Sequence, residues 1–125
     1  MLGDKEVVAT IAVRNLEAAK RFYEGKVGLK LADAQEPGSV SYQSGHSTVL
    51  VYESEYAGTN KATAATWVLG DEVDQVVREL KAKGVPFEHY DLPDMKREGD
   101  VHVAGGMRAA WFKDPDGNIH ALVSG

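Results

Sequence analysis

Apolar and polar positions in the first half of the chain predict a strand, a helix and three more strands. Residues 7–13 are almost all apolar, which is typical of a buried strand. Asn15 is suited to cap the N-terminus of a helix, and apolar side chains then recur at helical spacing as far as Gly28. Short strands are predicted over residues 29–33, 39–44 and 48–53. The first half therefore has the predicted order βαβββ.

The second half repeats this order after a polar segment. Apolar residues at helical spacing between positions 73 and 80 predict the second helix, which ends at Gly84. Gly28-Leu29 and Gly84-Val85 match at an offset of 56 residues, and both glycines follow a helix, where a left-handed residue is expected. Strands are predicted over residues 64–69, 85–90, 107–113 and 119–123, with a polar loop over residues 91–99.

This duplication predicts a single α+β domain over residues 1–125. One module leaves a sheet face uncovered, whereas two modules can bury it against each other. Module one covers residues 5–53, the linker residues 54–63 and module two residues 64–125, all approximately.

Composition narrows the classes of function. The net charge of −5 argues against binding nucleic acid, which needs a basic surface. The chain has no cysteine, which excludes disulfides, thiolate metal ligands and a cysteine nucleophile. No apolar run approaches the roughly 20 residues that cross a bilayer, and the N-terminus has no apolar signal core. We therefore expect a cytoplasmic protein without a membrane partner.

Residues 114–118 read Asp-Pro-Asp-Gly-Asn and predict the turn of a closing β-hairpin. With Trp111-Phe112-Lys113 before it and Ile119 after it, this turn resembles the C-terminal signature of the vicinal oxygen chelate superfamily, the glyoxalase/bleomycin-resistance/dioxygenase group. The other segments that resemble this superfamily are residues 13–17, 22–23, 28–29, 73–80 and 83–85. The resemblance implies two βαβββ modules forming a cupped mixed sheet with helices outside, a cavity inside and a homodimer.

Many members of this superfamily bind a divalent metal through His, Gln or Glu on four strands. The resemblance places those positions at Val8, at about Val49, at Ala65 and at Ala121, where no side chain can bind a metal. His120 neighbours Ala121, but moving one residue along a strand reverses the side-chain direction, so His120 should point away from the cavity. We therefore expect neither a metal nor another cofactor.

Alternation along the strands gives the expected ligand contacts. Trp67 shares a predicted face with Ala65. On the penultimate strand Trp111 and Phe112 face opposite sides, and Trp111 is favoured as the residue that faces the ligand. His102 lies before the final hairpin, a region that often borders the cavity in this superfamily. The predicted ligand-binding residues are Arg14, Tyr42, Glu53, Trp67, His102 and Trp111.

Three functions are compatible with this sequence. The first is a metal-independent protein that holds an apolar or aromatic ligand in an aromatic-lined cavity, by sequestration as in bleomycin-resistance relatives. The second is an enzyme of lyase, isomerase or dioxygenase-like type with relocated metal ligands or metal-free acid-base chemistry. No catalytic arrangement is recognisable among its candidates, Tyr42, Tyr52, Glu53, His102 and Arg108. The third is an interaction protein with a vestigial cavity.

Overall fold

The computed structural model describes residues 1–33 and 35–125. It divides into two compact units, Met1–Gly58 and Thr59–Gly125, and the division falls inside the segment predicted as a linker. Each unit contains a mixed β-sheet and a helix, so the predicted α+β architecture of two βαβββ modules is confirmed. Within the described residues, no helix is both long and apolar enough to cross a bilayer.

The first module is a four-stranded sheet in the order β1-β4-β3-β2. Strand β1 runs parallel to β4, and the remaining neighbours are antiparallel. Helix α1 (Leu16–Lys20) is capped by the Asn15 side chain, which accepts a hydrogen bond from the backbone N–H of Ala18 at 3.0 Å. The helix continues as a π-helical segment, Arg21–Val27. The strands are β1 (Ala9–Val13), β2 (Lys30–Leu31), β3 (Ser39–Ser44) and β4 (Ser47–Glu53).

The second module repeats this order with a wider sheet, β5-β10-β9-β8-β7. Strand β5 runs parallel to β10, and β6 pairs with β9 beside the main path. Helix α2 (Val73–Ala82) ends before Gly84, whose φ of 85° matches the 84° of Gly28 in the first module. The strands are β5 (Thr63–Val68), β6 (Phe87–Glu88), β7 (Lys96–Glu98), β8 (Val101–Ala104), β9 (Met107–Lys113) and β10 (Ile119–Val123).

Strand β7 differs from the prediction of a loop over residues 91–99, and β8 follows it in a segment for which no strand was predicted. They form an antiparallel pair in which Arg97 lies opposite His102. The glycine-containing segments on both sides of β8 mark its ends, but β7 is composed of three charged residues. Its strand conformation therefore comes from pairing with β8 and not from its own hydrophobic pattern.

The Asp-Pro-Asp-Gly-Asn turn joins β9 to β10 as predicted. Asp114 is buried, and its Oδ1 accepts hydrogen bonds from the backbone N–H groups of Asp116 at 3.0 Å and Asn118 at 2.8 Å. Its Oδ2 accepts a hydrogen bond from the Asn118 side-chain amide at 2.8 Å. Gly117 supplies the positive φ, 91°, that the turn needs. These contacts fix the register of the last hairpin.

Replacing Asp114 with alanine should destabilise the protein by about 3 kcal/mol, because it leaves buried donors of the turn without an acceptor. The measurement is the free energy of unfolding from urea titration. Asp91→Ala is the matched control, since Asp91 is an exposed loop residue, and it should change that free energy by no more than about 0.5 kcal/mol. Equal effects of the two substitutions would show that the turn contacts do not stabilise the fold.

Candidate functional site

The two faces of the second sheet differ in what they contact. Arg108 on β9 donates two hydrogen bonds to the Asp74 carboxylate on α2, each 2.9 Å long. Its face is therefore the one turned toward the helix, which we call the helix face of the second sheet. Alternation places Ala110 and Phe112 on this face, and places Ala109 and Trp111 on the opposite face, which we call the far face.

Trp67 belongs to the helix face. Its strand neighbour is Leu122, and Ala65 lies opposite His120, which in turn lies opposite Phe112. The Trp67 ring lies 6.3 Å from that of Phe112 and 5.4 Å from that of His120. Trp67 is therefore part of the packing under the helix. Trp67 was expected to face the ligand on the same side as Ala65 and Ala121. It lies on the other side because Ala65 pairs with His120, and Thr66 is the residue that pairs with Ala121.

His120 is 0% exposed within the same ring cluster, and so it lies on the helix face as expected. Burial lowers the pKa of its imidazole to about 4, and the nearby Asp114 carboxylate opposes this shift only in part. Burial among aromatic rings therefore favours the neutral imidazole. Its neighbour Ala121 lies on the far face, opposite both Trp111 and Thr66.

The far face carries a compact cluster of His102, Trp111 and Tyr90. The His102 ring is 4.9 Å from that of Trp111, at an interplanar angle of 83°. Tyr90 completes the cluster, with its ring 5.3 Å from Trp111 and 6.1 Å from His102. His102 is 1% exposed, whereas Trp111 and Tyr90 are half-buried. Of the predicted ligand-binding residues, the structure thus brings together His102 and Trp111.

Polar contacts within this cluster are incomplete. The backbone N–H of Tyr90 donates a hydrogen bond to His102 Nε2 at 3.0 Å. His102 Nδ1 is buried and has no hydrogen-bond partner in the part of the chain that the structure describes. Arg97 lies directly across the strand pair from His102 and so shares the far face. Tyr90 and Arg97 were not predicted as site residues, because Arg97 lies in the presumed loop and Tyr90 ends the presumed strand.

Three predicted ligand contacts belong to the first module. Tyr42 is completely buried and donates a hydrogen bond to Glu24 of the π-helical segment at 2.8 Å. Burial, and then this hydrogen bond, raise the pKa of its hydroxyl. Tyr42 therefore packs under the first helix, which differs from its expected ligand-facing position.

Glu53 and Arg14 lie at the ends of strands in the first module. Glu53 pairs with Val13, a buried residue, while Val51 and Val49 on the same face pair with Ile11 and with Tyr42. Glu53 therefore shares the Tyr42 side of its sheet, although it is itself exposed. Arg14 directly follows β1 and is exposed.

The residues at the superfamily's metal positions do not fit a metal. Register moves two of the expected positions by one residue, from Ala65 to Ala64 or Thr66 and from Val49 to Thr48 or Leu50. With Val8 and Ala121, these positions offer only hydrocarbon and threonine hydroxyl groups, whereas divalent transition metals prefer imidazole, carboxylate or thiolate ligands. In residues 1–33 and 35–125 no three His, Cys, Asp or Glu side chains are grouped as a metal site would need.

Comparisons with known proteins agree with this architecture. The family model "Glyoxalase/Bleomycin resistance protein/Dioxygenase superfamily" matches residues 7–122. No curated protein matches the chain. Among solved structures, lactoylglutathione lyase from Agrobacterium tumefaciens is 18% identical with a TM-score of 0.71, covering 98% of this chain and 95% of that one. A glyoxalase/bleomycin resistance protein/dioxygenase from Alicyclobacillus acidocaldarius is 22% identical with a TM-score of 0.70, covering 98% and 93%.

A third similar structure holds ligands. It is the E126Q mutant of the fosfomycin resistance protein FosX from Listeria monocytogenes, complexed with Mn(II) and 1S,2S-dihydroxypropylphosphonic acid. It is 17% identical to this chain with a TM-score of 0.70, and the match covers 100% of this chain and 92% of that one. At these identities the likeness demonstrates the shared fold.

Replacing His120 with phenylalanine should remove one source of acid sensitivity. The pKa of His120 is lower in the folded protein, about 4, than in the unfolded chain, about 6.5. The unfolded chain therefore takes up a proton first, and the folded state loses stability as the pH falls from about 6.5 to about 4, by about 3 kcal/mol in total. Urea titrations at several pH values should show this loss in wild type relative to His120→Phe. A constant difference between the two proteins from pH 7.5 to 4 would contradict it.

Proposed function

Because the chain belongs to the glyoxalase/bleomycin resistance protein/dioxygenase superfamily, we propose that it is a metal-independent protein that binds an apolar or aromatic small molecule. The observation that carries this proposal is the composition of the far face of the second sheet. Ala121, at a metal position of the superfamily, contributes a methyl group opposite the Trp111 ring. A position suited to a metal ligand is thus occupied by apolar surface.

The far face has the chemistry of a site for a flat ligand. Ala109 and Ala121 on this face are both buried and have only methyl side chains. Trp111 and Tyr90 on the same face are half-buried aromatic rings. Such rings offer a large apolar contact area at low cost in conformational entropy, and binding sites are commonly apolar with a few fixed polar groups. Trp111 and His102 therefore stay in the proposed contact set.

Binding by sequestration fits this surface better than catalysis. A general base must reach the reacting atom with a free lone pair. The lone pair of His102 Nε2 is already used by the Tyr90 backbone N–H. Glu53 and Tyr42 lie on one face of the first sheet, and the Tyr42 hydroxyl already donates a hydrogen bond to Glu24. We also propose that the protein is a cytoplasmic homodimer. Sedimentation of the purified protein would test whether it is a dimer.

Fluorescence of the two tryptophans distinguishes a ligand on the far face from one elsewhere. Titration with naphthalene and indole derivatives should quench or shift the emission of wild type and of Trp67→Phe, because both retain Trp111. The emission of Trp111→Phe should respond much less, because its remaining tryptophan packs under the helix. An equal response in Trp111→Phe would move the ligand away from the far face, and no response in any protein would overturn the binding function.

A metal-dependent enzyme is the second candidate, favoured by the similarity to a FosX mutant complexed with Mn(II). Elemental analysis of protein purified without chelator separates it from the first. We expect Mn, Fe, Ni and Zn each well below one atom per chain, because the candidate metal positions carry no imidazole, carboxylate or thiolate. These positions are Val8, Thr48, Leu50, Ala64, Thr66 and Ala121. One bound metal atom per chain that resists dialysis would support the enzyme and overturn the metal-independent assignment.

A further inference from the structure

The hydrogen bond from Tyr90 determines which nitrogen of His102 carries its proton. Because the backbone N–H of Tyr90 donates to Nε2 at 3.0 Å, Nε2 must present a lone pair. A neutral imidazole has one N–H, which is then on Nδ1. The backbone of Tyr90 thereby fixes the Nδ1–H of His102, on strand β8, as a hydrogen-bond donor.

This Nδ1–H group is an unused donor. It is buried, and no acceptor within the described residues lies in hydrogen-bond range of it. A buried donor without an acceptor costs free energy that a suitable ligand atom would restore. The rings that contact the imidazole, Tyr90 and Trp111, are both half-buried, so a ligand that reaches Nδ1 has to displace one of them. An oxygen acceptor is the chemical partner that this nitrogen needs.

Arg97 adds a positive charge on the same face. It lies directly opposite His102 on the neighbouring strand, is exposed, and forms no ion pair with the residues that the structure describes. Among the residues of the paired strands, the other charged side chains on this face are Lys113 and Glu88, which pair with each other at 3.2 Å. The strand residues of the far face therefore carry a surplus of one positive charge, although the whole chain has a net charge of −5.

We propose that the far face selects ligands that combine a flat apolar ring with a carboxylate, in which Trp111 contacts the ring and Arg97 and His102 bind the two carboxylate oxygens. This inference rests on the proposed binding function and specifies its ligand class. The guanidinium of Arg97 supplies charge-assisted donors with a planar geometry that matches a carboxylate. His102 adds a neutral donor, so the subsite compensates one negative charge and not two.

A matched set of probes tests this selection. Isothermal titration calorimetry would compare 1-naphthoate with 1-naphthamide, which has the same ring but no charge, and with 1-naphthyl phosphate, which is largely dianionic at pH 8. We expect naphthoate to bind at least about tenfold more tightly than the amide, the difference typical of hydrogen bonds to a charged group. Tighter binding of the phosphate than of naphthoate would overturn the carboxylate assignment.

Charge variants show whether Arg97 is responsible. Arg97→Gln should remove most of the preference for naphthoate over naphthamide, because it lowers the affinity for the charged ligand far more than the affinity for the amide. Lys96→Gln is the matched control, because it makes the same charge change on the same strand at an exposed position whose side chain lies on the opposite face. An equal loss of preference in both variants would reduce the effect to net charge and overturn the subsite.

Two replacements of His102 separate its two nitrogens. Glutamine can place an oxygen near the Nε2 position and still accept from Tyr90, but it lacks the Nδ1 donor; asparagine can keep a donor near Nδ1 but does not reach Tyr90. His102→Gln should therefore lose part of the naphthoate preference, and His102→Asn should retain more of it at lower thermal stability. If His102→Gln keeps the full preference, Nδ1 does not bind the carboxylate.

The outcomes also separate this inference from the proposed function. Equal binding of naphthoate and naphthamide to the wild-type protein would overturn the carboxylate subsite and leave a binding protein for flat apolar molecules. Absence of binding by naphthoate, naphthamide and the wider panel of ring compounds would overturn both proposals.

Discussion

The carboxylate of Asp114 is the interaction on which the second module depends most. It accepts hydrogen bonds from two backbone N–H groups and from the Asn118 amide, and so it holds strands β9 and β10 in one register. Because side chains alternate along a strand, that register alone decides that His120 faces the helix and Ala121 faces away. A slip of one residue would place an imidazole on the far face and a methyl group in the ring cluster.

Local signals in the sequence were sufficient for most of the fold. The Asn15 cap, the glycines that end both helices and the Asp-Pro-Asp-Gly-Asn turn each require a particular backbone geometry, and the structure has that geometry at each position. The repeated order of elements followed from comparing the two halves. Strand β7 could not be predicted, because three charged residues have no strand pattern and pair only through their neighbour β8.

The candidate site was harder to predict than the fold, because it depends on register between strands that are distant in sequence. Trp67 and Tyr42 are large aromatic residues that sequence alone cannot assign to one face of a sheet. Their pairing partners, Leu122 and Val49, place both on the sides that pack under helices. By contrast Trp111 was placed correctly relative to Ala121, since only the short Asp114 turn separates their two strands. Tyr90 was missed because it ends the presumed strand and because part of its role uses its backbone N–H, which every residue except proline possesses.

The methyl group of Ala121 also has an evolutionary consequence. Exchanging it for a carboxylate would take a single substitution, yet one carboxylate beside the Trp111 ring would bind no transition metal without further ligands. The other positions would have to change as well, because such a metal needs several imidazole or carboxylate ligands. Intermediate sequences would therefore gain charge at single positions before they gained a metal centre. The far face can vary the ligand it binds by single substitutions, whereas metal chemistry would require several substitutions together.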